Sequence, residues 1–195
     1  KGQNGKLLLI GGSELFHAAS KWSLDVASKF VDMVFYSSVP ENNQLINDAK
    51  GNFWNGIVIP RSDVEDYINE ADCILIGPGM KRDEETKKIV DYLVGKYSQK
   101  KWVIDAGALQ VIDPSLLKIN HIITPHTGEM VKLKESFKKN SLNIDKLQST
   151  ILLKGKVDKV FYFENNIITK DTAELKKEVV KIDGGNAGMT KGGRG

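Results

Sequence analysis

Short, unbroken apolar runs, each cut off by a glycine, an acid or a proline corner, constrain this chain more than anything else in it. They are Leu7-Leu8-Leu9-Ile10, Ile57-Val58-Ile59, Cys73-Ile74-Leu75-Ile76, Trp102-Val103-Ile104, Ile122-Ile123 and Ile151-Leu152-Leu153. A strand that is apolar at every position must be covered on both faces, which excludes a sheet with one wet side. Stretches of helical period lie between the runs. Residues 83–98 place Ile89, Val90, Leu93, Val94 and Tyr97 on one face, and Met130, Leu133 and Phe137 follow the same rule. The expected fold class is therefore α/β, with a mostly parallel central sheet and helices on both faces. Asn165-Asn166 reads as a turn and Ile167-Ile168 as the start of a returning strand, which adds a late antiparallel hairpin.

Finer expectations follow the same logic. Ser13 is placed to cap a helix whose inward face is Leu15, Ala19, Trp22, Val26 and Phe30. Pro40 closes the second strand, Val34 to Val39, and residues 41–55 read as irregular apart from a helical turn at Leu45 and Ile46. A small helix is expected from Ser62 or Asp63 to about Asn69, and a polar one over residues 143–149. At 195 residues with no interior linker, the chain reads as a single domain, 1–195.

Charge and cysteine usage narrow the classes of partner. The net charge is +3, and the lysines alternate with acids, as in Glu174-Leu175-Lys176-Lys177-Glu178, the pattern of solvated helix faces rather than of a nucleic-acid footprint. Cys73 is the only cysteine, so no intrachain disulfide or cysteine zinc site exists, and a reducing cytoplasm is the simplest setting. No apolar run approaches the roughly 18 residues needed to span a bilayer. The chain begins at Lys1 and ends inside a glycine motif, so both ends are expected to be cut from something longer.

Four strand-to-helix corners carry unusual residues: Gly11-Gly12-Ser13, Gly77-Pro78-Gly79, Asp105, and Thr124-Pro125-His126. In a parallel sheet all four share one edge, the edge where open α/β sheets bind ligands. The first could admit a phosphate or be a plain turn; the second stands level between structure and ligand contact. Asp105 could bind a metal or a hydroxyl, or cap a helix. His126 could donate to an anionic or hydroxylated substrate, and Glu129 fits a capping box with His126 or Thr127 better than a metal site. His17 and His121 lack metal-ligand partners at useful spacing and read as non-catalytic. Residues 183–195, six of them glycine, could form an anion-holding loop or a plain tail.

Together these corners resemble the ADP/ATP-dependent NAD(P)HX dehydratase family of the ribokinase-like superfamily. The resemblance rests on Gly5-Lys6-Leu7-Leu8-Leu9-Ile10-Gly11-Gly12-Ser13, on Asp72 to Gly79, on Val103-Ile104-Asp105-Ala106-Gly107-Ala108-Leu109 and on Ile122-Ile123-Thr124-Pro125-His126-Thr127-Gly128-Glu129. It continues through Leu153-Lys154-Gly155 and Gly185-Asn186-Ala187-Gly188-Met189-Thr190-Lys191-Gly192-Gly193, in the family's order over nearly the whole chain. It implies a ribokinase-like three-layer sandwich and repair of NADHX and NADPHX, the hydrated cofactors, through phosphorylation of the ring hydroxyl by ADP or ATP with Mg2+. Ala18, Gly79 and His126 would touch the hydrated dinucleotide. Lys154, Gly155, Lys156, Val157, Asp158, Gly193 and Gly195 would meet the adenine nucleotide. A homo-oligomer and a partnering NAD(P)HX epimerase are also implied.

The family's closing motif is Gly-Gly-Thr-Gly-Asp, whose aspartate is the base. Here Arg194 replaces the threonine and the aspartate would follow Gly195, so this chain is expected to be a fragment without its catalytic residue and inactive as it stands. His17-Ala18-Ala19 stands where Gly-Ala-Pro is usual, and Gly107 where a second aspartate is usual. Two other readings remain at this stage: a ribokinase-like kinase for a hydroxymethylpyrimidine, hydroxyethylthiazole or sugar, and a non-catalytic nucleotide-binding relative.

Overall fold

The computed structural model describes residues 2–52, 55–163 and 177–182. In chain order the elements are β1 (Lys6–Ile10), α1 (Ala18–Ala27), β2 (Met33–Ser37), α2 (Pro40–Asp48), β3 (Gly56–Ile59), α3 (Val64–Ile68), β4 (Cys73–Ile76) and α4 (Glu84–Lys96). Then come β5 (Trp102–Ile104), α5 (Ala106–Val111), β6 (His121–Ile123), α6 (Thr127–Lys139), β7 (Thr150–Leu153), β8 (Asp158–Phe163) and β9 (Lys177–Ile182). Short 3-10 turns fill several of the connections.

The strands form one sheet in the order β3-β2-β1-β4-β5-β6-β7-β8-β9. Pairing is parallel from β3 through β7 and antiparallel at β7–β8 and β8–β9, as the continuous apolar runs and the late hairpin imply. Chain direction across the sheet reverses between β1 and β4, which makes that gap the topological switch point. The expected turn at Asn165-Asn166, the strand start at Ile167-Ile168 and the glycine stretch 183–195 lie outside the described residues.

One row of side chains sets the height of the sheet. Ile10 pairs with Ile76, Ile76 with Ile104, Ile104 with Ile123 and Ile123 with Ile151, and all five are buried in the larger core. That core is closed by Val64 and Ile68 of α3, Val90, Leu93 and Val94 of α4, Ala108 and Leu109 of α5, and Leu133 and Phe137 of α6. A smaller core on the opposite face joins Leu9, Val34 and Tyr36 to Leu24 of α1 and Ile46 of α2. The result is a three-layer sandwich.

Several local expectations need correction. Ser13 does not cap α1: its Oγ accepts from the Phe16 amide at 3.2 Å, and the helix starts later, at Ala18, behind His17. The stripe expected to face inward is turned to solvent, with Leu15 at 71%, Trp22 at 47%, Val26 at 57% and Phe30 at 72% exposure. Ser20 and Leu24 face the sheet instead, because the small Ser20 lets the helix approach and its Oγ shares a hydrogen bond with the Tyr36 hydroxyl at 2.9 Å. Pro40 begins a nine-residue helix rather than merely ending a strand, since its fixed φ and missing N–H suit a first helical turn. The polar helix expected over residues 143–149 is only a 3-10 turn, Ile144–Lys146.

His121 is held neutral in the core. Its Nδ1 accepts from the Lys118 amide at 3.2 Å and its Nε2 donates to the Ser98 carbonyl at 3.4 Å, so burial lowers its pKa from the ordinary 6.5. The unfolded chain then binds a proton that the folded chain refuses. This stability contribution is complete above about pH 6.5 and is lost as pH falls through the window down to the lowered folded value. Thermal melts should show a falling Tm on acidification below pH 6.5, with a shallower slope in His121→Gln. Equal slopes would remove His121 as the cause.

Candidate active site

Because the isoleucine row ends β1, β4, β5 and β6 at one height, the residues that follow emerge side by side. They are Gly11, Gly77, Asp105 and Thr124. Two of the glycines here are required by the backbone. Gly77 has φ +120°, and a Cβ there would lie 1.8 Å from the Asp105 carbonyl oxygen. Gly79 has φ +75°, and its Cβ would meet the Phe16 carbonyl at 2.8 Å. Without side chains at these positions the β4–α4 corner packs directly on the β1 and β5 corners, and the Gly12 amide donates to the Pro78 carbonyl at 2.7 Å.

Asp105 occupies the position before α5 but makes no side-chain cap. Its Oδ1 instead accepts from Thr124 Oγ1 at 2.7 Å and from Lys154 Nζ at 2.7 Å. The ion pair is partly open to solvent, with side-chain exposures of 25% for Asp105 and 40% for Lys154, so it contributes little stability and leaves the lysine reachable by a ligand. Residue 106, the next in the chain, is a non-glycine with φ +44°, a strained conformation directly behind the carboxylate.

His126 caps α6, and the cap fixes its chemistry. Nδ1 accepts from the amides of Gly128 at 3.0 Å and Glu129 at 3.3 Å, so in the neutral ring the proton sits on Nε2. Glu129, buried, completes the capping box by accepting from the His126 amide at 2.9 Å, and Gln110 Nε2 donates to its other oxygen at 3.1 Å. The imidazole is half exposed, and its Nε2 lies 3.6 Å from Glu129 Oε2, beyond good hydrogen-bond distance, so the Nε2–H keeps room for a partner. The capping-box reading of Glu129 with His126 holds in the structure.

Lys154 to Asp158 form the β7–β8 corner beside it. The Lys154 amide donates to the Pro125 carbonyl at 2.8 Å, and Asp158 Oδ1 accepts from the Gly155 amide at 2.8 Å, which closes the turn around Lys156 and Val157. The structure thus brings Gly79, His126, Lys154 and Asp105 onto one edge. Ala18, exposed at the start of α1, lies beyond the Gly12 corner, and Gly193 and Gly195 lie outside the described residues. Sequence reading missed the Asp105–Lys154 pair, whose members are 49 positions apart. It also missed Arg61, whose largely buried guanidinium donates to the Gly11 carbonyl at 2.9 Å and whose pKa burial lowers.

A mainly parallel sheet with this edge and an antiparallel end defines a ribokinase-like domain. A Bacillus subtilis ADP/ATP-dependent NAD(P)H-hydrate dehydratase, co-crystallized with ATP/Mg2+ and soaked with CoA, superimposes with TM-score 0.69 at 20% identity, over 99% of this chain and 70% of that one. An Enterococcus faecalis ribokinase-like superfamily protein gives TM-score 0.73 at 22% identity, over 97% of this chain and 66% of that one. A bifunctional NAD(P)H-hydrate repair enzyme from Methanocaldococcus jannaschii is 34% identical over 202 residues, covering 100% of this chain and 38% of the relative. The NAD(P)H-hydrate dehydratase family model matches residues 7–195, and the chain belongs to that family. It spans about two fifths of the length of the bifunctional relatives that it matches in full.

The capping geometry makes a direct prediction for His126. His126→Ala should cost about 1 kcal/mol, the usual scale for a lost N-cap, while His126→Asn, itself a good cap, should lose little. Denaturant titrations of the two variants check this, and equal losses would contradict the cap.

Proposed function

We propose that this domain carries out the ADP- or ATP-dependent dehydration of NADHX and NADPHX to NADH and NADPH. The observation that carries the proposal is the single edge on which the His126 Nε2–H donor and the Lys154 ammonium stand beside the glycine corner Gly77-Pro78-Gly79. In this reading Ala18, Gly79 and His126 hold the hydrated dinucleotide, and the loop from Lys154 to Asp158 holds the adenine nucleotide, with Gly193 and Gly195 closing on its phosphates. The ring hydroxyl oxygen bonds to the terminal phosphorus of the donor as the phosphoanhydride P–O bond breaks and its electron pair leaves with the shortened nucleotide, and the hydroxyl proton passes to a base. The C–O bond then breaks, phosphate leaves with the electron pair, a proton is lost from the adjacent carbon and the C=C bond returns. With ATP the net change is NADHX plus ATP to NADH, ADP, phosphate and a proton.

The chemistry is mostly positioning and charge neutralisation. Lys154 supplies a cation for the transferring phosphoryl group, and Asp105, itself held by Thr124, keeps it at the edge. Mg2+ needs only one or two carboxylates when it arrives on a nucleotide, and no cluster of three or more potential ligands is present among the described residues. Asp105 fits that limited role, since both of its hydrogen bonds fall on Oδ1. Bound there, the ion would neutralise charge on the phosphates. The family resemblance assigns the base to the aspartate that ends its Gly-Gly-Thr-Gly-Asp motif.

No helix among the described residues is long and apolar enough to cross a membrane. The lone Cys73 and the ordinary charge balance support a cytoplasmic setting. A homo-oligomer acting in sequence with an NAD(P)HX epimerase completes the proposal.

The full-length protein should convert NADHX to NADH only when ADP or ATP is added, followed by the return of dihydronicotinamide absorbance. His126→Asn, which keeps the cap, should raise the KM for NADHX about tenfold, the cost of one lost hydrogen bond of ~1.4 kcal/mol. Phosphorylation of a vitamin precursor or sugar with no NADHX turnover would overturn the assignment.

A further inference from the structure

The outer stripe of α1 and the outer face of α2 enclose a feature that the site described above does not use. A cavity of about 280 Å3 lies between the two helices, with the Tyr36 ring and Ile46 among the residues lining it and Trp22 and Leu45 at its sides. Trp22 and Leu45 are 47% and 53% exposed, while Tyr36 and Ile46 are buried. The remaining lining is Ala18 with three polar residues that are already partnered: the His17 ring is hydrogen-bonded to Asn42 Oδ1, and Lys21 is paired with Asp25. Apolar walls that include an aromatic plane suit a planar aromatic ring.

The cavity adjoins the glycine corner through Asn42. Ala18 lines it, and Asn42 Nδ2 donates to Ser38 Oγ at 2.9 Å and to the Ser13 carbonyl at 3.3 Å. The space a Cβ at Gly12 would take lies 2.4 Å from Asn42 Nδ2, and the corresponding space at Gly79 lies 3.3 Å from the Gly12 Cα. Asn42 is thus shared between the wall of the cavity and the packing of the glycine corner.

We propose that the α1/α2 cavity is the subsite for the distal nucleobase of the dinucleotide, stacked on Trp22, with Lys21 and His17 facing the sugar-phosphate that leads to it. The inference rests on the dehydratase reading for the identity of the ligand. A dinucleotide has two nucleosides, and only the nicotinamide one reacts. The other is the part whose binding energy a remote slot can use. The exposed Trp22, displaced from the expected core, has a ligand face to present.

Substrate truncation provides the test. In the full-length protein, Trp22→Ala should raise the KM for NADHX roughly tenfold and leave kcat within about twofold, the scale of one base–aromatic stack. With the hydrate of reduced nicotinamide mononucleotide, which lacks the distal nucleoside, the same variant should match the parent. Trp22→Phe, which keeps a stacking face, should recover most of the loss. An equal penalty on both substrates, or none on either, overturns the subsite.

A second readout does not depend on turnover. In protein labelled with 5-fluorotryptophan, the 19F line that disappears in Trp22→Phe should shift on titration with NAD+. If NADHX is consumed but that line does not move, the subsite fails and the dehydratase reading stands. If the line moves but no NADHX is consumed, the dehydratase reading fails and the dinucleotide subsite stands. A Trp22 line that responds to protein concentration but not to NAD+ assigns the face to a second copy and also overturns the proposal.

Discussion

Everything at the candidate site depends on one buried row. Ile10, Ile76, Ile104, Ile123 and Ile151 stand in register across five strands, each at or below 1% exposure. Sliding one of these strands by a residue would bring the opposite set of side chains to the helix face, so the register is fixed by the area that the row removes from water. The row places the next residue of each strand at a common height. Gly77 can then lie against the Asp105 backbone, and Lys154, two strands away, can reach the Asp105 carboxylate.

The parts legible in the sequence are those in which a single residue type is demanded by local physics. Cys73-Ile74-Leu75-Ile76 could only be a doubly covered strand, and the glycines that follow it mark a corner, where the structure packs backbone on backbone. α4 was legible because both its cap, Asp83, and its apolar face are local. α1 was not. Periodicity shows that a helix has two unlike sides but does not say which side meets the sheet. At α1 the sheet took the side with Ser20 and Leu24, where a small residue and a hydroxyl meet Tyr36. α2 was missed because Pro40 stops a strand and starts a helix with equal ease.

The site divides along the same line. Its glycine corners and the capping box of His126 and Glu129 are encoded within a few residues and could be found by reading. The Asp105–Lys154 pair and the Arg61 contact to the Gly11 carbonyl join residues 49 and 50 positions apart, and only the strand order brings them together. No spacing rule would have found either.

His126 shows how stability and function can share one atom pair. A histidine that caps a helix through Nδ1 must, while neutral, carry its proton on Nε2. The Glu129 carboxylate that completes the box accepts from the His126 backbone amide and from Gln110, so turning the ring would leave only the helix amides of Gly128 and Glu129 without their acceptor. The Nε2–H of the neutral ring is therefore oriented by the helix itself. That coupling lets a residue with a sufficient structural role also serve as a polar contact, the role proposed for it above. It also means that only a substitution preserving the cap separates the two roles.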